Sequence, residues 1–257
     1  MYDTLWIGCS HSAGLYNNKN VIISPDNGIA NRLAASLQEK WKILAIRGEG
    51  MHTYMECIKV LDNNGYLNKF KNIIVQQTSE PRLNFYTSKG YQHMFDNILR
   101  YIENDDINKT CDPTKLNGNK VFSINANEFH QYQHHHFDKE KINFIDLATE
   151  IAENVDPRDD KQQYYAVWTQ AALDYIKLIS EKNGCKFYTF KWVSSHCNPP
   201  ATNDTPGLFN ENLEIIQMIY KIGLEKYLTN PGLHPTEKIL EFAHLALLKE
   251  LSKVGYK

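Results

Sequence analysis

The residues with chemical potential gather at the two ends of the chain. Near the start, "IGCSHS" sets Ser10 and Ser12 around His11 directly after an apolar run. Near the end, "PGLHP" presents His234 in a proline-bounded loop ahead of an apolar-periodic segment. Nucleophilic acyl transfer needs a hydroxyl on a tight turn, an imidazole to take its proton, and N–H donors for the developing oxyanion. Ser10 meets the first requirement, since it follows a strand-like run and a glycine. Ser12 lies two residues further into the loop and ranks behind it. Gly48 and Gly50 end the next strand-like run, where the missing side chain lets a backbone N–H approach a substrate oxygen. The third such run ends in "QQTSEPR", a row of side-chain donors that includes Gln77, Thr78 and Ser79, with Arg82 beyond them. His11 and Arg82 are candidates to contact substrate.

Each signal has an ordinary structural reading. A Gly-x-Ser turn after a strand is common turn chemistry, and a histidine before proline is a common helix start. The pairing of Ser10 with His234 from the far end of the chain is what favours chemistry.

The elements that must position these residues follow from periodicity. "TLWIG" is a short apolar run ended by Gly8, which predicts a buried strand. "NGIANRLAASLQEKW" puts Ile29, Leu33 and Leu37 at helical spacing, and "KILAIRGEG" predicts a second strand. "HTYMECIKVLDNNG" reads as an amphipathic helix closed by asparagines and Gly65. A third strand covers Ile73 to Val75. "DKQQYYAVWTQAALDYIKLISEKNG" predicts a long helix, "CKFYTFKWV" a strand, "NENLEIIQMIYKIG" a helix, and the C-terminal segment a final long helix. Strands alternating with helices predict an α/β fold, a parallel sheet covered on both faces, and therefore an α/β/α sandwich. In such sheets ligands bind beyond the carboxyl ends of the strands. The polar turns named above all lie at those ends. Residues 84–160 mix helix-like pieces, a turn and a histidine-rich stretch, and are expected to be an insertion decorating a single domain.

Composition bounds the partners. The chain has 257 residues, 42% hydrophobic and 23% charged, with a net charge of −2, which suits a globular domain with a sizeable core. With no strongly basic stripe, no nucleic-acid partner is expected. No run approaches the roughly 18 consecutive apolar residues of a membrane span. An acidic residue stands where a signal peptide would be basic, so a cytoplasmic location is expected. The five cysteines are odd in number and widely spaced, which argues against a disulfide framework or structural zinc and for a reducing compartment.

Taken in order, these blocks resemble the SGNH (GDSL-like) hydrolase superfamily. "IGCSHS" stands where that family has Gly-Asp-Ser, and the resemblance implies Ser10 as nucleophile. "RGEGMHTYMECIKVL" looks like the second block, which implies Gly50 as an oxyanion-hole residue. "VQQTSE" stands for Gly-x-Asn-Asp, with Ser79 at the asparagine position, and "PGLHP" for Asp-x-x-His-Pro, which implies His234 as general base. The family fold is a flavodoxin-like three-layer sandwich. Its reactions are ester and thioester hydrolysis, including removal of carbohydrate acetyl groups, without metal or organic cofactor. A small-molecule or carbohydrate ester is the expected substrate.

The departures from the family define the alternatives. Pro231 stands where the family has the aspartate that orients the histidine, so the chain uses a Ser–His dyad or borrows an acid elsewhere. The block-three asparagine is absent, which leaves Gln77, Thr78 or Ser79 to supply that donor. A chain that has lost both is alternatively a catalytically degenerate binding or structural module that recognises carbohydrate. "HQYQHHHFD" (residues 130–138) places imidazoles and a carboxylate together, but three adjacent histidines cannot all face one ion on a regular element, so no metal is expected. His196 in "SSHCNPP" is a rival base lining the same cleft.

Overall fold

The computed structural model describes residues 1–47, 50–77, 84–86, 88–116, 119–120, 123–125, 160–192, 215–229 and 234–256. The principal elements are β1 (Tyr2–Gly8), α1 (Ile29–Leu37), β2 (Trp41–Ala45), α2 (Met51–Asn63), β3 (Phe70–Gln77), α3 (Ser88–Glu103), β4 (Thr110–Cys111), α4 (Asp160–Lys182), β5 (Lys186–Lys191), α5 (Ile215–Lys221) and α6 (Glu237–Lys253). A short antiparallel hairpin joins Leu15–Tyr16 to Ile22–Ser24.

The strands named β form one five-stranded sheet, ordered β5-β3-β1-β2-β4, with every pairing parallel. Parallel strands need helical crossovers, so both faces are covered and the strands read as near-continuous apolar runs. Successive side chains still alternate between the two faces. Leu5, Ile7, Leu44, Ile73, Val75 and Phe187 pack with α2, α3 and α4. Trp6, Trp41, Ile43, Ile74, Tyr188 and Phe190 pack with α1, α5 and α6. The α/β/α layering expected from the alternation is therefore what forms.

From β1 the chain moves through α1 to β2 on one side, then returns through α2 to β3 on the other. The strand order thus reverses around β1, and the crevice at the carboxyl ends of β1 and β3 is the position where open α/β sheets bind ligands. Ser10 and Gln77 emerge at that crevice.

Residues 84–160 are only partly described, but they do more than decorate. Met94, Ile98, Tyr101 and Ile102 of α3 are buried in the first core layer. Residues Thr110 and Cys111 extend the central sheet beside β2. The strand Asn84–Tyr86 pairs antiparallel with Ser123–Asn125, and Lys115–Leu116 with Asn119–Lys120.

One buried charge ties these pieces to the sheet. Lys42 of β2 is fully buried, and its Nζ donates to the carbonyls of Tyr101 (2.8 Å) and Asn104 (2.7 Å) at the end of α3. An ammonium there meets both the orphan carbonyls and the negative end of the helix dipole. Burial holds the Lys42 pKa below the ordinary lysine value. Among the described residues no helix is long and apolar enough to cross a membrane.

Asn108 closes the loop between α3 and β4 in a left-handed conformation (φ 58°). Its Oδ1 accepts from Trp41 N (2.8 Å), its Nδ2 donates to Glu39 O (2.9 Å), and its own N–H donates to Trp41 O (2.9 Å). Asn108→Ala removes both side-chain bonds and places a β-carbon in left-handed backbone. It should lower unfolding stability by about 2–3 kcal/mol, read as a lower urea midpoint at unchanged slope.

Candidate functional site

Beyond Gly8 the chain turns sharply through the 3-10 turn Ser10–Ser12. Close approach makes this turn. A β-carbon on Gly8 would lie 2.4 Å from Ser12 Oγ and 2.7 Å from Gln76 Oε1, so any side chain there forces these buried groups to move. Ser12 is fully buried; its Oγ accepts from Trp6 Nε1 (3.0 Å) and donates to Gln76 Oε1. That hydroxyl is consumed by the turn, which leaves Ser10, half-buried, as the displayed serine. Gly14 (φ 141°) then brings the chain onto the hairpin, close against Ser24.

The hairpin holds the far end of the chain in place. Tyr16 N–H donates to Pro235 O (3.2 Å), and Leu228 and Pro235 form an isolated antiparallel bridge. His234 N–H donates to Thr229 Oγ1 (2.9 Å), and Thr229 N–H to His234 O (3.1 Å). The His234 backbone is clamped from both sides.

Its ring is clamped as well. Tyr16 stacks on His234 with centroids 4.4 Å apart and planes 18° apart, and His11 stacks on it at 4.8 Å and 28°. His11 stacks in turn on Trp192 at 5.5 Å. Tyr16 also reaches the serine turn: its hydroxyl donates to the Ser10 carbonyl at 2.7 Å. Burial pushes the Tyr16 pKa well above its ordinary value, against the opposing pull of Arg47, so the group stays a donor at neutral pH. On the ring edge, His234 Nδ1 lies 2.6 Å from Asn20 Oδ1, and Thr229 Oγ1 donates to the same oxygen at 3.1 Å.

Ser10 and His234 thus meet around one tyrosine, although no hydrogen bond joins Ser10 Oγ to the His234 ring among the described residues. Such contacts are often long before substrate binds. Gly50 is buried and caps the N-terminus of α2 at the exit of β2, its carbonyl accepting from Thr53 N (3.1 Å). The exits of β1 and β2 are tied by Ile46 N donating to Gly8 O at 2.7 Å. Gln77 lies at the end of β3, but its Nε2 donates to Thr189 Oγ1 (3.1 Å), so its amide joins β3 to β5. His11 is only 7% exposed, packed between Trp192 and His234 with its Nδ1 3.2 Å from Cys9 Sγ. The surface it offers a substrate is correspondingly small.

Gly48, Thr78, Ser79, Arg82, the His130–His136 cluster, His196 and Pro231 lie outside the described residues. Among the described residues no group of three or more His, Cys, Asp or Glu side chains is disposed to hold a metal ion. Among the described residues no disulfide joins Cys9, Cys57, Cys111 or Cys185 to one another. Burial pushes Cys111 up to about 12 and Cys185 up to about 11, which suits inert core residues.

Tyr16, Asn20 and Thr229 are the site residues that sequence reasoning missed. Asn20 sits in "NNKN", which reads as turn composition and nothing more. Comparison with protein-family models, curated proteins and solved structures finds no match to the chain.

The Gly8 contact yields a direct test. Gly8→Ala forces Ser12 and Gln76 apart and should cost about 2–3 kcal/mol of stability. Thermal unfolding followed by circular dichroism would register it as a lowered midpoint.

Proposed function

We propose that the chain is a serine ester hydrolase of the SGNH (GDSL-like) type. The observation that carries the reading is the shared tyrosine: Tyr16 donates to the Ser10 carbonyl at 2.7 Å while its ring stacks on His234 at 4.4 Å. Ends of the chain with no local reason to meet are thereby assembled over the carboxyl ends of the central strands, in a parallel α/β/α sheet of the general kind the family resemblance implies.

In this mechanism Ser10 Oγ attacks the acyl carbonyl as His234 Nε2 takes its proton. The oxyanion that forms is met by the backbone N–H groups of Ser10 and Gly50, assisted by the side chain of Thr78 or Ser79, Gln77 being engaged with Thr189. His234 returns the proton to the leaving alcohol, and a water, deprotonated by the same imidazole, releases the acid and restores Ser10. No step calls for a metal or organic cofactor. An acyl ester is the substrate class, with a carbohydrate O-acetyl ester favoured by the family resemblance.

A second reading, a binding module that keeps the sandwich without turnover, is favoured by one observation: Ser10 Oγ makes no hydrogen bond to His234 among the described residues. Hydrolysis of p-nitrophenyl acetate alongside labelling by a fluorophosphonate separates the two. The esterase reading expects labelled wild type, no labelling of Ser10→Ala, and turnover lowered about 10²–10⁴-fold in His234→Ala. An inert, unlabelled wild type favours the binding module, and activity that survives Ser10→Ala overturns the nucleophile.

A further inference from the structure

The proposed mechanism needs His234 to carry its proton on Nδ1 and keep a lone pair on Nε2. A free imidazole favours the opposite tautomer, so something must hold it. In this chain the position that would supply an orienting aspartate is Pro231.

We infer that Asn20 is the positioning residue of the site, its side-chain carbonyl fixing the tautomer and orientation of the His234 ring. Asn20 Oδ1 has two neighbouring donors, His234 Nδ1 at 2.6 Å and Thr229 Oγ1 at 3.1 Å. The Thr229 hydroxyl accepts the His234 backbone N–H at 2.9 Å and donates to Asn20 Oδ1. The three residues form a closed ring of hydrogen bonds in which the Asn20 oxygen accepts twice. This arrangement sets the amide with its carbonyl, rather than its NH₂, toward the imidazole.

The hairpin tip holds Asn20 rigidly enough for the task. Its φ is 61°, a left-handed conformation that asparagine tolerates. Its N–H donates to Asn17 O (3.0 Å), and Asn17 Oδ1 accepts from the N–H groups of Lys19 (2.9 Å) and Val21 (3.1 Å). A local backbone network therefore fixes where the amide points.

An amide orients without adding charge. A carboxylate in its place would stabilise the imidazolium and raise the pH at which the base becomes free. Among the described residues, His11 and Tyr16 pack on the ring faces of His234, and Asn20 and Thr229 bond its edge and backbone. Beyond them, Trp192 lies behind His11, and Arg47 and Asp112, paired at 3.1 Å, act on Tyr16. The Asn20 amide adds no charge of its own at the Nδ1 edge, where a carboxylate would favour the imidazolium.

This inference rests on the esterase reading only for its kinetic consequence; the tautomer can be observed directly. The experiment is ¹⁵N–¹H NMR of histidine-labelled protein, with His234→Ala to assign the resonance, on wild type, Asn20→Gly and Asn20→Asp. Both Asn20 variants accommodate left-handed backbone, and circular dichroism checks that they fold. Wild type should show the Nδ1–H tautomer, and Asn20→Gly should move toward Nε2–H. Asn20→Asp should raise the His234 pKa by about one unit or more. Given activity, the acid limb of kcat/KM should move up equally in Asn20→Asp, while kcat in Asn20→Gly should fall about tenfold or more with KM little changed. An unchanged tautomer in Asn20→Gly, or an unmoved pKa in Asn20→Asp, overturns the role of Asn20. An inert wild type with the expected tautomers would sink the esterase reading and leave this one standing.

Discussion

The absence of a side chain at Gly8 is the constraint on which the site depends. With nothing but hydrogen on that α-carbon, Ser12 Oγ and Gln76 can close over the end of the central strand. Trp6, Ser12 and Gln76 then form a buried chain of hydrogen bonds joining both faces of the β1 turn to its neighbour β3. Buried polar groups that satisfy one another rigidify what they connect. The same closure spends Ser12 internally and leaves Ser10 outermost, so the difference between two serines of one turn is decided by the packing beneath them.

The second organising feature is the column of rings formed by Trp192, His11, His234 and Tyr16. Its members come from β5's exit, the β1 turn, the loop before α6 and the hairpin. No two adjacent rings in the column belong to the same element, so the column exists only once the fold has assembled. It holds the His234 plane, while hydrogen bonds to Thr229 and Asn20 hold its backbone and its edge. Stacking fixes a plane without fixing rotation within it; the directional bond at Nδ1 supplies the missing degree of freedom.

Much of the architecture was legible in the sequence because a parallel sheet buried on both faces writes itself as apolar runs. β1, β2, β3 and β5, with the helices between them, follow from those runs and from helical spacing. β4 did not, since two residues, Thr110 and Cys111, carry no periodicity, and their strand character comes from pairing with Ile43 and Leu44. α3 read as a helix-like piece, but nothing local in residues 84–160 shows that it packs on the sheet. Ser10 and His234 stand out in the sequence by their motifs, and the fold brings both to Tyr16. Tyr16 and Asn20 do not stand out: a tyrosine in a two-residue strand and an asparagine in an asparagine-rich turn gain meaning only when the hairpin folds over the His234 loop. The pattern also suggested a substrate-facing His11, where burial against Trp192 makes it chiefly a packing partner.

Lys42 carries a consequence for how the molecule comes apart. Its ammonium sits within the sheet with α3's terminal carbonyls as its hydrogen-bond acceptors. Lifting α3 away would break both charge-assisted bonds at once and uncover the apolar face of β2 beside Lys42. The helix and β2 are therefore bound into one cooperative opening unit. Backbone amides of α3 and β2 should exchange with solvent as a block, at rates set by the unfolding of that block rather than by fraying of a peripheral helix.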